Sequence, residues 1–326
     1  MVKRSAVSVD IAIPAKALSP VTSESLGNVL ADNPFHQGRI IVYGDGGLGD
    51  PESQRIRHIF GDAVDFITPS GASRGPAWAR NRLAEHSRSD FIIFVDADVL
   101  LPPQFLSRIL PELQNMPDGV VFAPRISPLS QRTVISRFFS TFTLGPSIVG
   151  GRVVVPTTVL AMSRNTWLAA GPFDERFVKP GGEDWDWMIR NNWRPTHEFT
   201  VRYAPHLSVP HRNPATPSGL LKRAWVYGSQ THWVSKERQG SLTHDETLMA
   251  PINGECARAE SLKELFALVK RGGGKGLILW RNRVLVDVRP GDVAGFILLL
   301  ILFRLTHRSS ASFQKIFGGR GVSSNG

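Results

Sequence analysis

Cysteine is almost missing from this chain. The single one, Cys256 among 326 residues, excludes a disulfide framework and fits a reducing compartment. With no histidine motif near it, it reads as a packing residue. Also missing is any apolar run of the roughly 20 residues that a membrane-spanning helix needs. The most apolar segment, VAGFILLLILF at 293–303, has eleven. The amino terminus, MVKRSAVSVDIAIPA, starts basic but has no long apolar stretch and no cleavage pattern, so it reads as a first strand rather than a signal peptide. There is no internal repeat and no GxGxxG. The glycine cluster RGGGKG (271–276) lacks the strand–loop–helix setting and the following Ser or Thr of a phosphate loop, and reads as a flexible turn. Basic and aromatic residues are not interleaved, which argues against nucleic acid as a partner.

What is present describes a globular protein with room for a proper core, 42% hydrophobic and 20% charged. The net charge of +10 is unevenly placed: from Ala257 onward there are 12 Lys and Arg against 4 Asp and Glu, so this tail holds eight of the ten surplus charges. A basic tail points to an anionic partner. Because Arg289, Arg304 and Arg308 flank the apolar segment, a helix lying in an anionic membrane interface fits it. A buried helix or a dimer contact fits it as well.

Strand-like and helix-like segments alternate. VSVDIAIPA (7–15), RIIVYGDGG (39–47), VDFITPS (64–70), DFIIFVDADVL (90–100) and GVVFAPRI (119–126) read as strands. Residues 22–31, 75–87 and 101–114 read as helices, Pro76 standing where a missing N–H costs little and Pro111 expected to end the third early. FIIFV is apolar at every position, as in a parallel strand covered on both faces. Such alternation predicts a doubly wound α/β sheet, whose ligands bind at the carboxyl ends of the strands.

Asp96-Ala97-Asp98 follows FIIFV directly. Two carboxylates there repel each other and lose solvation. A divalent cation relieves both, and Mg²⁺ and Mn²⁺ prefer oxygen ligands completed by substrate phosphates. Asp45, in YGDGG, also ends a strand; it could hold a ribose hydroxyl or a base N–H, although Asp-Gly is a turn signal and the pattern alone favours a turn aspartate. GGEDWDWMIRN (181–191) crowds Glu183, Asp184 and Asp186 around Trp185 and Trp187. The helix dipole favours acids in a first turn but does not explain two tryptophans. Their broad faces suit a sugar ring, and a carboxylate beside such a face can take a proton from a sugar hydroxyl. Trp185, Trp187 and Asp186 are therefore the expected acceptor contacts, with one of the two tryptophans stacking on the ring and the other expected in the core.

With these residues in place, 7–98 and 153–212 resemble a family-2 glycosyltransferase with the GT-A fold. The resemblance rests on VSVDIAIPA, GPAWARN, FIIFVDADV and above all AMSRNTWLAAGPFDERFVKPGGEDWDWMIRN, a little under half the chain. The GGED form is also similar to β-1,4-galactosyltransferases. The resemblance implies a mostly parallel GT-A sheet over 1–240, with a nucleotide-sugar half (1–126) and an acceptor half (153–240), followed by a basic helical extension (241–326). It implies that Asp98 binds Mn²⁺ or Mg²⁺ across the two phosphates of a nucleotide sugar. Asp96 would contact the ribose or the metal's water shell. Asp184 would be the general base, with Glu183 helping to place the acceptor. Asp45 matches the second acid of the family's nucleoside-binding pair, whose first acid is here Gly44. Arg80 and Asn81 match an A-R-N segment near the donor. His211, where relatives carry a histidine at a strand's end, would be a metal or diphosphate ligand, although a lone histidine is more often structural.

The implied function is an inverting, metal-dependent transfer from a nucleotide sugar, a UDP-sugar expected, to a hydroxyl of a glycan or lipid-linked acceptor in cell-surface polysaccharide synthesis. The implied location is cytoplasmic, peripheral on the inner face of the membrane. Two other classes remain open: a sugar nucleotidyltransferase, for which IPAKALSPVTSES is a poor phosphate loop, and a non-catalytic sugar-binding module, which has little reason to keep both DAD and GGED. Residues 127–152 carry no interpretable motif.

Overall fold

The computed structural model describes residues 7–32, 38–149, 152–192, 199–230, 256–259, 261–271, 277–280, 283–286 and 288–317. Most of the glycine cluster, the side chain of Cys256 and the expected boundary at 240/241 lie outside the described residues.

The first half runs β1 (Val9–Ala15), α1 (Pro20–Ala31), β2 (Ile40–Gly44), α2 (Pro51–Phe60), β3 (Asp65–Ile67), α3 (Pro76–His86), β4 (Phe91–Val95), α4 (Phe105–Gln114) and β5 (Val120–Pro128). Then come α5 (Val134–Phe142), the short strands β6 (Ser147–Val149) and β7 (Arg152–Val154), β8 (Val159–Ser163), α6 (Arg164–Ala170), α7 (Glu183–Asn192), β9 (Thr200–His211) and α8 (Pro217–Gln230). The carboxyl-terminal part adds β10 (Cys256–Ala259), α9 (Leu262–Arg271), β11 (Leu277–Trp280), β12 (Arg283–Val286) and the 25-residue α10 (Val293–Phe317).

Seven strands form the main sheet in the order β3-β2-β1-β4-β8-β5-β9. All neighbours are parallel except β8, which runs against both β4 and β5. The expected mostly parallel sheet is present. β4 is buried at all five positions because helices cover both its faces. Its side chains alternate between two cores. Phe91, Ile93 and Val95 join a core that includes Leu26 of α1, Leu106 of α4 and Phe138 of α5. Ile92 and Phe94 join another with Leu83 of α3, Trp167 of α6 and Trp187 of α7.

Pro111 does not end α4. The helix continues to Gln114 with Phe105, Leu106, Ile109, Leu110 and Leu113 buried. Burying five such side chains, at roughly 1.5–3 kcal/mol each, outweighs the ~3 kcal/mol of an interior proline.

A second, five-stranded sheet has the order β10-β11-β12-β6-β7. The strands beyond residue 255 therefore pair with a hairpin from inside the first 240 residues. Arg137 of α5 forms a two-pronged pair with Asp292, both contacts 2.6 Å, just ahead of α10. α10 itself is long and apolar enough to cross a membrane by length and composition, over Pro290–Ser312. That corrects the eleven-residue estimate, since the helix continues past Arg304 to Phe317. Its inner face is packed: Phe296 meets Phe138 and Phe142 of α5 edge-on, and Ser310 Oγ donates to the Trp225 carbonyl of α8.

Candidate active site

The carboxyl ends of β1, β2 and β4 open into one cavity of about 790 Å³, whose other walls come from α5, α7, α8, α10 and the end of β9. Its position at the carboxyl edge of a mostly parallel sheet is the one the strand pattern predicts.

The DAD segment is held in place by α1. Thr22 Oγ1 donates to the Ala97 carbonyl at 2.6 Å, Ser25 Oγ to Val99 at 2.6 Å and Asn28 Nδ2 to Leu101 at 2.8 Å. These three polar side chains, spaced by three along one helix face, tie down the backbone on both sides of Asp98. From the other side, the end of β9 is stitched to the same segment, Leu100 N–H donating to Pro210 and Arg212 N–H to Asp98.

That stitching places His211 Nε2 3.0 Å from Asp98 Oδ1. The tautomer follows from the neighbours. Asn213 Nδ2 donates to the Ser136 carbonyl at 2.7 Å and to Ser140 Oγ at 2.6 Å, so the Asn213 oxygen accepts from His211 Nδ1–H at 2.6 Å. Nε2 is left facing Asp98 and the cavity. Residues 127–152, uninterpretable from sequence, thus supply the α5 groups that orient His211. Burial alone would raise Asp98, but His211 and then Arg223, whose Nη2 lies 3.7 Å away, hold it below the usual carboxylate range. Burial would likewise lower His211, yet Asp98 holds it above its ordinary value.

Asp96 is engaged differently. Its Oδ1 accepts from Arg80 Nη2 at 2.6 Å, and Arg80 Nη1 donates to Glu183 Oε1 at 2.9 Å. Arg80 is almost fully buried and its charged form is strongly favoured by Asp96 and Glu183 in spite of burial. Burial and the nearby Asp98 hold Asp96 above its ordinary value, although Arg80 opposes them.

The GGED turn is explained by space as well as charge. Gly181 has φ +111° and a Cβ there would lie 2.4 Å from Tyr227 Cδ1; Gly182 has φ +110° and would place a Cβ 3.0 Å from Phe177. Only glycine fits this approach without strain. Glu183 Oε2 accepts from Gly181 N–H at 2.8 Å, which closes the turn onto α7. Asp184 then faces the cavity. Burial, with Glu183 alongside, pushes its carboxyl up to about 7 even though Arg80 pulls the other way.

Three of the expected contacts do not line the cavity. Trp187 is fully buried, stacked on Trp167 and donating to the Gly171 carbonyl at 2.7 Å. Asp186 is fully buried and paired with Arg190 at 2.8 Å. One turn of α7 cannot present positions 184 to 187 to the same side; Asp184 and Trp185 face the cavity, and Asp186 and Trp187 face the core. Asn81 is not at the donor side: its amide donates to the Phe173 carbonyl and Glu175 and accepts from Phe173 N–H, clamping the GPFDE segment to α3.

Asp45 does line the cavity. Its carboxylate accepts from Ser73 Oγ, Arg74 N–H and Gly75 N–H at 2.6–2.8 Å, so it fixes the loop before α3. At Gly44 a Cβ would fall 2.6 Å from Leu48 Cγ, so an acid there would have to displace Leu48. Arg223 and Tyr227 of α8 and Phe142 of α5 also line the cavity. The Arg223–Tyr227 spacing of four was the available signal for two of them. His206 is an exposed partner of Glu112, 3.8 Å away.

Among the described residues no three His, Cys, Asp or Glu side chains converge as a closed metal cluster. The donor set that is present, the Asp98 carboxylate and a histidine nitrogen oriented by its other ring N–H, fits a divalent cation whose remaining ligands are water and substrate phosphate.

Residues 13–168 match the family model described as Glycosyl transferase family 2. Over 107 residues the chain is 25% identical to a glucosyl-dolichyl phosphate glucuronosyltransferase of Haloferax volcanii, covering 32% of this chain and 33% of that protein. The chain therefore aligns with about a third of the curated relative it matches. The fold is similar to that of a Pyrobaculum calidifontis mannosyltransferase solved in complex with GDP-mannose and Mn²⁺, with TM-score 0.52 and 13% identity, covering 96% of this chain and 88% of that one. The seven-stranded sheet with its flanking helices is the GT-A, Rossmann-like fold, and each of these matches is to glycosyltransferases.

Proposed function

We propose that this chain is a family-2 glycosyltransferase that moves a sugar, with inversion, from a nucleotide-sugar donor to an acceptor hydroxyl. One observation carries the reading. A single cavity holds a cation-type pair, Asp98 and His211, and a carboxylate of raised affinity for protons, Asp184, joined through the buried chain Asp96–Arg80–Glu183.

In this reading Asp184 takes the proton of the acceptor hydroxyl as that oxygen attacks the anomeric carbon. The bond from that carbon to the diphosphate oxygen breaks in the same displacement, and the electron pair leaves with the diphosphate. A divalent cation, Mn²⁺ or Mg²⁺, held by Asp98 with His211, would neutralise the charge on that leaving group. Asp96 contributes by holding Arg80, and Glu183 by holding the turn that aims Asp184. Asp45 shapes the nucleoside end through the 73–75 loop. Trp185 offers the acceptor ring an apolar face. The GGED turn serves the same end as in the galactosyltransferases it resembles, and a UDP-sugar is the proposed donor. The enzyme works on the cytoplasmic side, at the inner face of the membrane, in surface polysaccharide synthesis; the basic charge beyond Ala257 supports that placement.

Calorimetric titration of UDP, GDP and CMP, each with and without Mn²⁺, tests the donor side. Metal-dependent binding of one nucleotide, lost in Asp98→Ala, is expected. Asp184→Asn should bind that nucleotide as the parent does and transfer nothing. Loss of binding in Asp184→Asn would remove it from the base role, and absence of binding by all three nucleotides would overturn the reading.

A further inference from the structure

Phe177 is met by a glycine on each of two sides. An added Cβ at Gly75 would lie 2.8 Å from the Phe177 carbonyl oxygen and 2.7 Å from the Val178 carbonyl carbon. An added Cβ at Gly182 would lie 3.0 Å from Phe177 Cε1. The loop before α3 and the glycine turn before Asp184 therefore both rest on one residue. Phe177 is fully buried in the core that Trp187 also joins. Close-packed interiors transmit displacement, so a shift of Gly75 against the Phe177 carbonyl reaches the turn through the ring.

Gly75 is held in turn by Asp45. Oδ2 of that acid accepts from Gly75 N–H at 2.8 Å and from Ser73 Oγ at 2.6 Å, and Oδ1 accepts from Arg74 N–H at 2.8 Å. A carboxylate has about four lone-pair sites, and the loop occupies three of them. Asp45 is only 7% exposed, and its own N–H donates to the Ala15 carbonyl of β1 at 2.7 Å. The loop is braced from outside as well. Exposed Arg74 lies over the Trp78 ring, 3.2 Å from its centroid, and Trp78 Nε1 donates to the Tyr43 hydroxyl at 3.1 Å. The end of β2, the loop and Phe177 thus form one continuous support behind the turn.

We propose that Asp45 is a positioning residue for Asp184. It holds the 73–75 loop against Phe177 and Val178, Phe177 seats Gly182, and the turn so seated aims the Asp184 carboxylate into the cavity. The Asp45 carboxylate itself makes no hydrogen bond to the nucleoside. This rests on the transferase reading above, in which Asp184 is the base, and gives Asp45 a different task from the nucleoside contact that the family resemblance implies.

The test uses the full chain and two variants. Asp45→Asn keeps the shape of the side chain but turns one accepting arm into a donor, which releases part of the loop. Gly75→Ala leaves Asp45 as it is and drives a methyl against Phe177 and Val178. Backbone amide exchange is followed by mass spectrometry. In both variants it is expected to quicken over 177–186, where the Phe177, Gly181 and Asp186 N–H groups are hydrogen-bonded, and to stay unchanged over 91–95 in β4. In Asp45→Asn the change should be about tenfold, the effect of one charge-assisted hydrogen bond on a local opening. Affinity for UDP, GDP or CMP, titrated by calorimetry with Mn²⁺, should match the parent in both variants. Unchanged exchange over 177–186 in both variants overturns the inference. So does a loss of nucleotide affinity of about tenfold or more in Asp45→Asn that Gly75→Ala does not share, since Asp45 is then a nucleoside ligand. Either result leaves the transferase reading standing, whereas a parent that binds none of the three nucleotides overturns both. Should either variant not fold, Ser73→Ala, which removes one of the three donors to Asp45, is read by the same two measurements.

Discussion

Arg80 Nη1 and Glu183 Oε1 lie 103 residues apart in the chain and meet at 2.9 Å, both side chains almost fully buried. Through the other prong of its guanidinium Arg80 also holds Asp96. The end of β4 and the first turn of α7 are therefore fastened by one planar group, whose two-pronged geometry an ammonium cannot copy.

Removing that group leaves two carboxylates near each other in a poorly solvated place. Arg80→Gln is expected to lower unfolding free energy by about 3–5 kcal/mol, the usual effect of breaking a buried pair. Arg80→Lys keeps the charge but reaches one carboxylate at a time, so its loss should be smaller. Urea unfolding of the two variants checks the order; no loss in Arg80→Lys would mean that charge alone, and not the two-pronged bridge, holds the site together.

The Asp184 carboxyl predicts a pH dependence with a definite sign. As a base it must be ionised, so kcat/KM should climb about tenfold per pH unit below a midpoint and level off above it, and that midpoint is about 7. Stability runs the other way. A carboxyl raised from 3.8 to about 7 by the fold favours the native state in its neutral form. That contribution is whole at acid pH below the unfolded value and is lost as pH rises through the folded one. Glu183→Gln removes the adjacent negative charge and should move the midpoint down. A profile with no inflection between about pH 5 and 8 would remove Asp184 from the base role.

Gly181 and Gly49 offer a contrast within one residue type. At Gly181 the backbone is at φ +111° and an added methyl would strike Tyr227, whereas at Gly49 nothing lies within 4 Å and φ is ordinary. Gly181→Ala should destabilise by about 1–3 kcal/mol and lower turnover, because Glu183 leans on the Gly181 N–H. Gly49→Ala should be neutral or stabilise by up to about 1 kcal/mol. Thermal unfolding of both variants decides whether the glycine pair is conformational or incidental.

The parts legible in the sequence are those where local pattern and tertiary role coincide. FIIFV reads as a strand covered twice, and the acids that end it reach the cavity because the neighbouring parallel strands β1, β2 and β4 deliver their carboxyl ends there. The five strands of the first half were legible for the same reason, whereas the antiparallel β8 was not read from the pattern. Asn81 was misplaced, and which tryptophan belongs to the core was left open, because a motif gives spacing along a helix but not the angle at which the helix meets the core. On α3, Arg80 turns to the cavity and Asn81 to the GPFDE segment. The α5 groups behind His211 left no trace, since Ser136 offers a backbone carbonyl that any residue would supply. The length of α10 was underestimated because a count of apolar residues stops at Arg304, while helix continuation needs only one face to remain packed.

The two tryptophans of GGEDWDW separate folding from recognition. Trp187 is enclosed by Trp167, Phe173 and Phe199, with ring centroids 6.2, 5.3 and 5.3 Å away, and its indole N–H is satisfied by Gly171. Trp187→Ala opens a cavity among these rings and should cost about 3–5 kcal/mol, with nucleotide affinity in the surviving folded fraction unchanged. Trp185 borders the cavity beside Asp184 and is only partly buried. Trp185→Ala should therefore cost less stability than Trp187→Ala, because Trp185 packs only at the edge of that core, and should raise KM for the proposed acceptor, because Trp185 also borders the cavity. Chemical unfolding curves and steady-state kinetics on both variants give four numbers. An unaltered acceptor KM in Trp185→Ala would show that it serves the core alone, and would leave the proposed acceptor ring without an aromatic partner on α7.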